Sequence, residues 1–234
     1  MDFTAFQIQS VLLGVFILVI SVALHEFGHA YMADRLGDDT PRRQGRVTLN
    51  PLAHADPIGT LLLPLIGGLY GGGSFGWGKP VQWQPHRIRR GIRMATASIL
   101  VSFAGPFMNL VLTTLVTLVH VILVSQNAIS LDVPIDELGH IKGMTAHLCL
   151  TMGAVTNFIL FFFNLLPVPP LDGGHIATAF MPSRHRRRWE SVAKYGPIIV
   201  LAFLLIPQFQ RVFVVPAMWC AVHLYGAIGS LFGM

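Results

Sequence analysis

The stretch Val11-Leu12-Leu13-Gly14-Val15-Phe16-Ile17-Leu18-Val19-Ile20-Ser21-Val22-Ala23-Leu24 runs directly into His25-Glu26-Phe27-Gly28-His29. Only Gly14 and Ser21 relieve the apolar part, and the run as a whole covers about residues 8–33, enough for the roughly 20 residues of a spanning helix. In a helix, positions i and i+4 share a face, so His25 and His29 can offer ring nitrogens to one ion. Glu26 sits beside that face, where a carboxylate can take a proton from a water whose pKa a zinc ion lowers to about 7. Two histidines satisfied by packing are the alternative. The depth of the motif speaks against it, because an acid at the centre of a spanning helix costs about 2.5–3.5 kcal/mol. Ionisable groups at membrane depth are functional by default.

The rest of the composition agrees with a membrane solvent. Of 234 residues, 53% are hydrophobic and 12% charged, against about 25% charged in soluble domains. Cys149 and Cys220 both lie in apolar runs, which excludes a disulfide framework or a cysteine-rich zinc site. No Lys or Arg precedes Arg35, so the first run lacks the basic start of a cleavable signal and is expected to be retained.

Further apolar runs fall at about 57–70, 95–124, 145–166, 191–206 and 211–233. Between them lie three basic clusters: Arg35, Arg42, Arg43 and Arg46; Lys79, Arg87, Arg89, Arg90 and Arg93; and Arg184, Arg186, Arg187, Arg188 and Lys194. Basic residues collect on the cytoplasmic side, so the net charge of +5 reads as topology, not as a nucleic-acid surface. The loop 125–144, with Asp132, Asp136 and Glu137 against Lys142, belongs on the opposite side. Run 57–70 has basic clusters on both flanks and contains Pro64 and Gly67-Gly68, so a re-entrant loop is expected there. The fold class expected is an all-α membrane protein: a bundle of about five spans, a re-entrant loop and a short membrane-associated β segment. One domain covers 1–234, with a catalytic core of about 8–180 and two C-terminal helices at about 191–233.

A catalytic zinc needs a third protein ligand. The best candidate is Asp172, in Asn164-Leu165-Leu166-Pro167-Val168-Pro169-Pro170-Leu171-Asp172-Gly173-Gly174-His175. The prolines stop the fourth run, and Gly173-Gly174 free the backbone behind the acid. By parity, runs 8–33 and 145–166 end on the same side, so Asp172 can meet the histidines. Its alternative role is a turn or a helix N-cap.

HEFGH followed by NLLPVPPLDGG resembles the site-2 protease family of intramembrane zinc metalloproteases. The segments from Arg46 to Gly59 (RVTLNPLAHADPIG), Phe75 to Val81 (FGWGKPV) and Gly105 to Asn109 (GPFMN) resemble its later landmarks. The resemblance covers about residues 20–180. It implies one Zn2+ per chain held by His25, His29 and Asp172, Glu26 as general base, and Asn109 near the site, steadying the oxyanion or bonding helix to helix. It also implies a membrane-protein substrate with a transmembrane segment, a multi-pass protein of the plasma membrane, and an active site toward the cytoplasm. No PDZ-like or nucleotide-sensing domain is expected.

Other residues carry weaker signals. His54 and Asp56 can assist substrate or metal entry, although loop histidines usually just hydrogen-bond. His175 reads as a residue behind the ligands or a helix cap, and His120, His147 and His223 as histidines with local polar partners. Gly73-Ser74-Phe75-Gly76-Trp77-Gly78-Lys79 nearly spells a phosphate loop, but Pro80 replaces the magnesium-binding hydroxyl. Gly71–Gly78 is expected to be a close-packed loop at the membrane surface. Residues 45–59, with Val47, Thr48 and Leu49, are expected to lend a strand edge to an unwound substrate. The rival functions are a metal transporter using His25, Glu26 and His29 as a transit site, and a non-catalytic relative that only binds membrane segments. Few ionisable residues in the opposite half argue against transport, and the presence of Glu26 argues against a dead relative.

Overall fold

The computed structural model describes residues 4–70, 76–132 and 145–233. Helix α1 (Ala5–Arg35) opens on a capping box between Thr4 and Gln7 and ends before Gly37, whose φ of 111° takes the chain out of helix. Its 31 residues rise about 46 Å, more than the bilayer's hydrocarbon core of about 30 Å. After the short α2 (Thr40–Arg43), the chain winds as a π-helix over Pro57–Leu62 and continues as α3 (Leu63–Leu69). Then follow α4 (Met94–Ser125), α5 (Ala146–Asn164), α6 (Asp172–Phe180), α7 (Ser183–Ala193), α8 (Gly196–Leu205) and α9 (Pro207–Leu231).

Four of these, α1, α4, α5 and α9, are long and apolar enough to cross a membrane. Helix α4 is central, packing against α1, α5, α6 and α9. Small residues let the helices close up: a Cβ on Gly28 of α1 would lie 2.5 Å from the Ala104 carbonyl oxygen of α4. Phe158, Ala217 and Ala221 form the α5–α9 contact, with Leu110 of α4 against them.

The polarity runs inside out. Leu12, Phe16, Leu115, Val119, Val212 and Val222 are exposed, whereas Ser21, Asn109, Thr113, Thr117, His120 and Asn157 are buried. In water such a surface would be an aggregation liability; in lipid it is the stable arrangement, since polar groups are the ones that need protein partners.

The structure departs from the expected architecture in two places. Run 191–206 supplies no fifth helix of spanning length: it folds as the end of α7 and the ten-residue α8, which rises about 15 Å, half the core thickness. Pro207 ends it, because proline disfavours helix in the residue before it. Helix α9 then starts again from the basic end of the bundle, where Phe213 meets Phe163 (5.2 Å between centroids). It reaches Tyr225 beside His120, near the other end of α4.

The expected β segment is the second departure. No strand occurs among the described residues, and Val47, Thr48 and Leu49 lie in bends and irregular chain leading to a 3-10 turn at Pro51–Ala53. Thr48 Oγ1 accepts from the Asn50 N–H (3.2 Å), and Asn50 Oδ1 from the Leu52 N–H (3.1 Å). Such local side-chain bonds turn the backbone instead of extending it.

Past Tyr70 the chain returns: the Trp77 N–H donates to Gly59 O (3.1 Å) and the Lys79 N–H to His54 O (2.8 Å). Residues 71–75 of the expected glycine-rich loop, and Asp136, Glu137, His140 and Lys142 of the expected acidic loop, lie outside the described residues. At the basic end, hydrogen bonds and charge from Arg43, joined by Arg87, hold the Asp39 carboxyl below the usual carboxylate range.

Candidate metal centre

His25 and His29 lie one turn apart on α1 and are both buried. Helix α5 ends at Asn164, and the proline-rich stretch after it delivers Asp172 to the first turn of α6. The three side chains converge: His25 Nε2 is 3.0 Å from His29 Nε2, 3.2 Å from Asp172 Oδ2, and His29 Nε2 is 3.4 Å from Asp172 Oδ1. Four tetrahedral ligands about 2.0–2.1 Å from a zinc ion stand about 3.3 Å apart, so the spacing fits such an ion.

The far sides of the rings make the same point. His29 Nδ1 lies 2.7 Å from Val101 O; a carbonyl only accepts, so Nδ1 carries a hydrogen, and the neutral ring presents its lone pair at Nε2. His25 Nδ1 lies 2.7 Å from Asn109 Oδ1, which leaves its Nε2 bare as well. Two lone pairs and a carboxylate facing one point call for positive charge between them, and a donor set of two imidazoles and one carboxylate suits zinc. Gly105 keeps that point clear, since a Cβ there would collide with His29 Nε2 and lie 2.8 Å from His25 Nε2.

The ligand atoms border a cavity of about 220 Å³, lined also by Glu26, Pro80, Val81, Trp83, Ser102 and His175. Glu26 Oε2 accepts from the Val81 N–H at 3.0 Å. The chain bearing Val81 is held at both ends: buried Arg46 donates to Lys79 O (3.1 Å), and buried Asp38 accepts from the Gln84 N–H.

The remaining residues singled out from the sequence divide. Asn109 is brought to the centre but stands behind His25, fully buried, with its amide nitrogen directed at Asn157 Oδ1 (2.9 Å) and Ser21 O (3.4 Å). It does not line the cavity. His175 does line it and is exposed. His54 is buried against Thr48 O (2.9 Å), and Asp56 caps the π-helix through Ile58 and Gly59 N–H; neither lines the cavity. His120 meets Tyr225 and His147, and His223 meets Trp219 O. Sequence reasoning passed over Asn157 and Asp38, and met Val81 only as the last residue of the FGWGKPV segment. Asn157 had a signal, an amide in the middle of an apolar run; Asp38 acts through its carboxylate on the distant Gln84 N–H and had none.

The model of Peptidase family M50 matches residues 13–207. The Bacillus subtilis protein named "Putative zinc metalloprotease YwhC" is 35% identical over 197 residues, covering 82% of this chain and 80% of its own. Two proteins named Rip2, under the same description, are similar as well. That of Mycolicibacterium smegmatis is 33% identical over 88% of this chain and 73% of its own, and that of Mycobacterium tuberculosis 30% over 93% and 80%. No solved structure matches. With four apolar helices, two histidines and an aspartate converging on one point, and this family match together, the chain belongs to peptidase family M50, the site-2 protease family of membrane metalloproteases.

Proposed function

We propose that this protein is an intramembrane zinc metalloprotease that hydrolyses peptide bonds within or next to transmembrane segments of membrane-protein substrates. His25, His29 and Asp172 hold one zinc, and Glu26 is the general base. The observation that carries this reading is the convergence of two bare Nε2 lone pairs and a carboxylate at 3.0–3.4 Å beside Glu26.

Zinc bound there supplies Lewis acidity for the scissile carbonyl and brings the pKa of a water to about 7. Glu26 takes the proton of the attacking water and passes it to the leaving amine. The Val81 N–H on Oε2 orients that carboxylate without neutralising it. Asn109 acts on His25 and not on the oxyanion, because its oxygen and its amide nitrogen are engaged away from the cavity.

A peptide bond inside a helix has its carbonyl occupied by the helix's own hydrogen bond, so the substrate enters as unwound chain. The basic clusters support a cytoplasmic side for the end of the bundle near the metal centre, and the membrane we propose is the plasma membrane. The return of residues 77–79 onto 54–59 supports a re-entrant excursion for 57–70. We further propose a single domain, with the two C-terminal helices α8 and α9 closing its core.

The test is Glu26→Gln, which keeps size while removing the base. Zinc should stay bound, and cleavage of a membrane-segment substrate should fall by at least about 10²–10⁴-fold. Zinc flux across vesicles without proteolysis by either form would identify a transporter instead.

A further inference from the structure

The metal reading needs His25 to present a bare Nε2, and the histidine does not decide this alone. Its Nδ1 faces Asn109 Oδ1 at 2.7 Å. An amide can present either end, and if the Asn109 NH2 faced the ring, Nδ1 would have to accept. Nε2 would then carry the hydrogen and could not bind a metal.

What prevents this lies farther off, on α5. Asn157 is 1% exposed at the centre of that helix. Its Nδ2 donates to the Gly153 carbonyl (2.9 Å) and to Ser21 Oγ (2.9 Å). The Gly153 carbonyl only accepts, so the NH2 end of Asn157 is fixed on that side and its Oδ1 must face Asn109. There it accepts from Asn109 Nδ2 at 2.9 Å, while the Ser21 carbonyl, another obligate acceptor, lies 3.4 Å from the same nitrogen. With its NH2 held in this way, Asn109 turns only oxygen toward His25.

Resting on the zinc reading above, we propose that Asn157 is a positioning residue of the metal centre: acting through Asn109, it sets the tautomer of His25 and so the lone pair offered to zinc. The chain of polarity runs from a backbone carbonyl of α5 through two amides to α1, and every junction has one allowed direction. Partners behind a metal-ligating histidine are typically worth about 10–100-fold in metal affinity.

Packing and positioning predict opposite orders for two variants of Asn157. Asn157→Leu keeps the volume and suits an apolar bundle but removes the acceptor that holds Asn109. Asn157→Asp keeps an accepting oxygen in either protonation state but is the harder residue to bury. Zinc affinity is read by chelator competition on the full chain in detergent, with monodispersity checked for each variant. We expect Asn157→Leu to bind zinc about 10–100-fold more weakly and Asn157→Asp to stay close to the natural chain.

Adding Asn109→Asp to Asn157→Leu should restore affinity, because a carboxylate has no NH2 end to turn toward His25. Natural affinity in Asn157→Leu, Asn157→Asp weaker than Asn157→Leu, or no rescue in the double variant would overturn the proposal and leave the zinc reading standing. A natural chain that binds no zinc at all would overturn both.

Discussion

Among the described residues the bundle holds two histidine pairs, one buried and one with a half-buried His147, toward opposite ends, with the same spacing and opposite chemistry. His25 and His29 bring Nε2 to Nε2 at 3.0 Å; His120 Nε2 and His147 Nδ1 also meet at 3.0 Å. The difference lies behind the rings. Val101 O and Asn109 Oδ1 are acceptors, so in the neutral rings both front nitrogens of the first pair present lone pairs. His120 Nδ1 meets the Tyr225 hydroxyl at 2.8 Å, and a hydroxyl both donates and accepts. The second pair can therefore place one hydrogen between its nitrogens and close on itself as an ordinary hydrogen bond linking α4, α5 and α9. A metal centre is recognised by what the far nitrogens are forbidden to do, more than by the distance between the near ones.

The largest effect expected from this contrast is on cleavage. His29→Ala removes one of the proposed ligands, so proteolysis of a membrane-segment substrate should fall by at least the roughly 10²–10⁴-fold that general-base catalysis contributes, since on this proposal Glu26 then has no activated water to serve. His120→Ala should leave folded protein that still cleaves. Equal losses in the two variants, assayed side by side, would break the comparison.

A smaller effect is expected on stability. His147→Leu leaves the His120 ring without its partner, and an unsatisfied buried group costs about 1–3 kcal/mol. Thermal unfolding in detergent should shift down while bound zinc is unchanged; zinc loss in this variant would give the second pair a role in the centre.

How much of this was legible in the sequence depended on how local the cause was. Helix α1 and its three polar residues could be read because apolar run and motif are continuous from Val11 to His29. Asp172 could be read because prolines and glycines mark the turn that presents it. The expectation of about five crossings rested on hydropathy, which counts composition, whereas Pro207 cuts run 191–206 to a ten-residue helix and leaves four helices of spanning length among the described residues. The strand at 47–49 was misread because β-branched residues favour extension only where no nearer side-chain bond competes, and Thr48 and Asn50 supply two. Asn157 was visible as a polar residue in lipid, but its bonds reach Asn109 and Ser21 on two other helices. No local pattern encodes that pairing.

The central claim is that His25, His29 and Asp172 form a zinc centre and the second histidine pair does not. The most direct measurement is the zinc content of purified natural chain beside that of Asp172→Ala, in detergent and without added metal. The account predicts about one zinc in the natural chain, as in single-metal catalytic sites, and a large loss in the variant. Undiminished zinc in Asp172→Ala, or none in the natural chain, would contradict it.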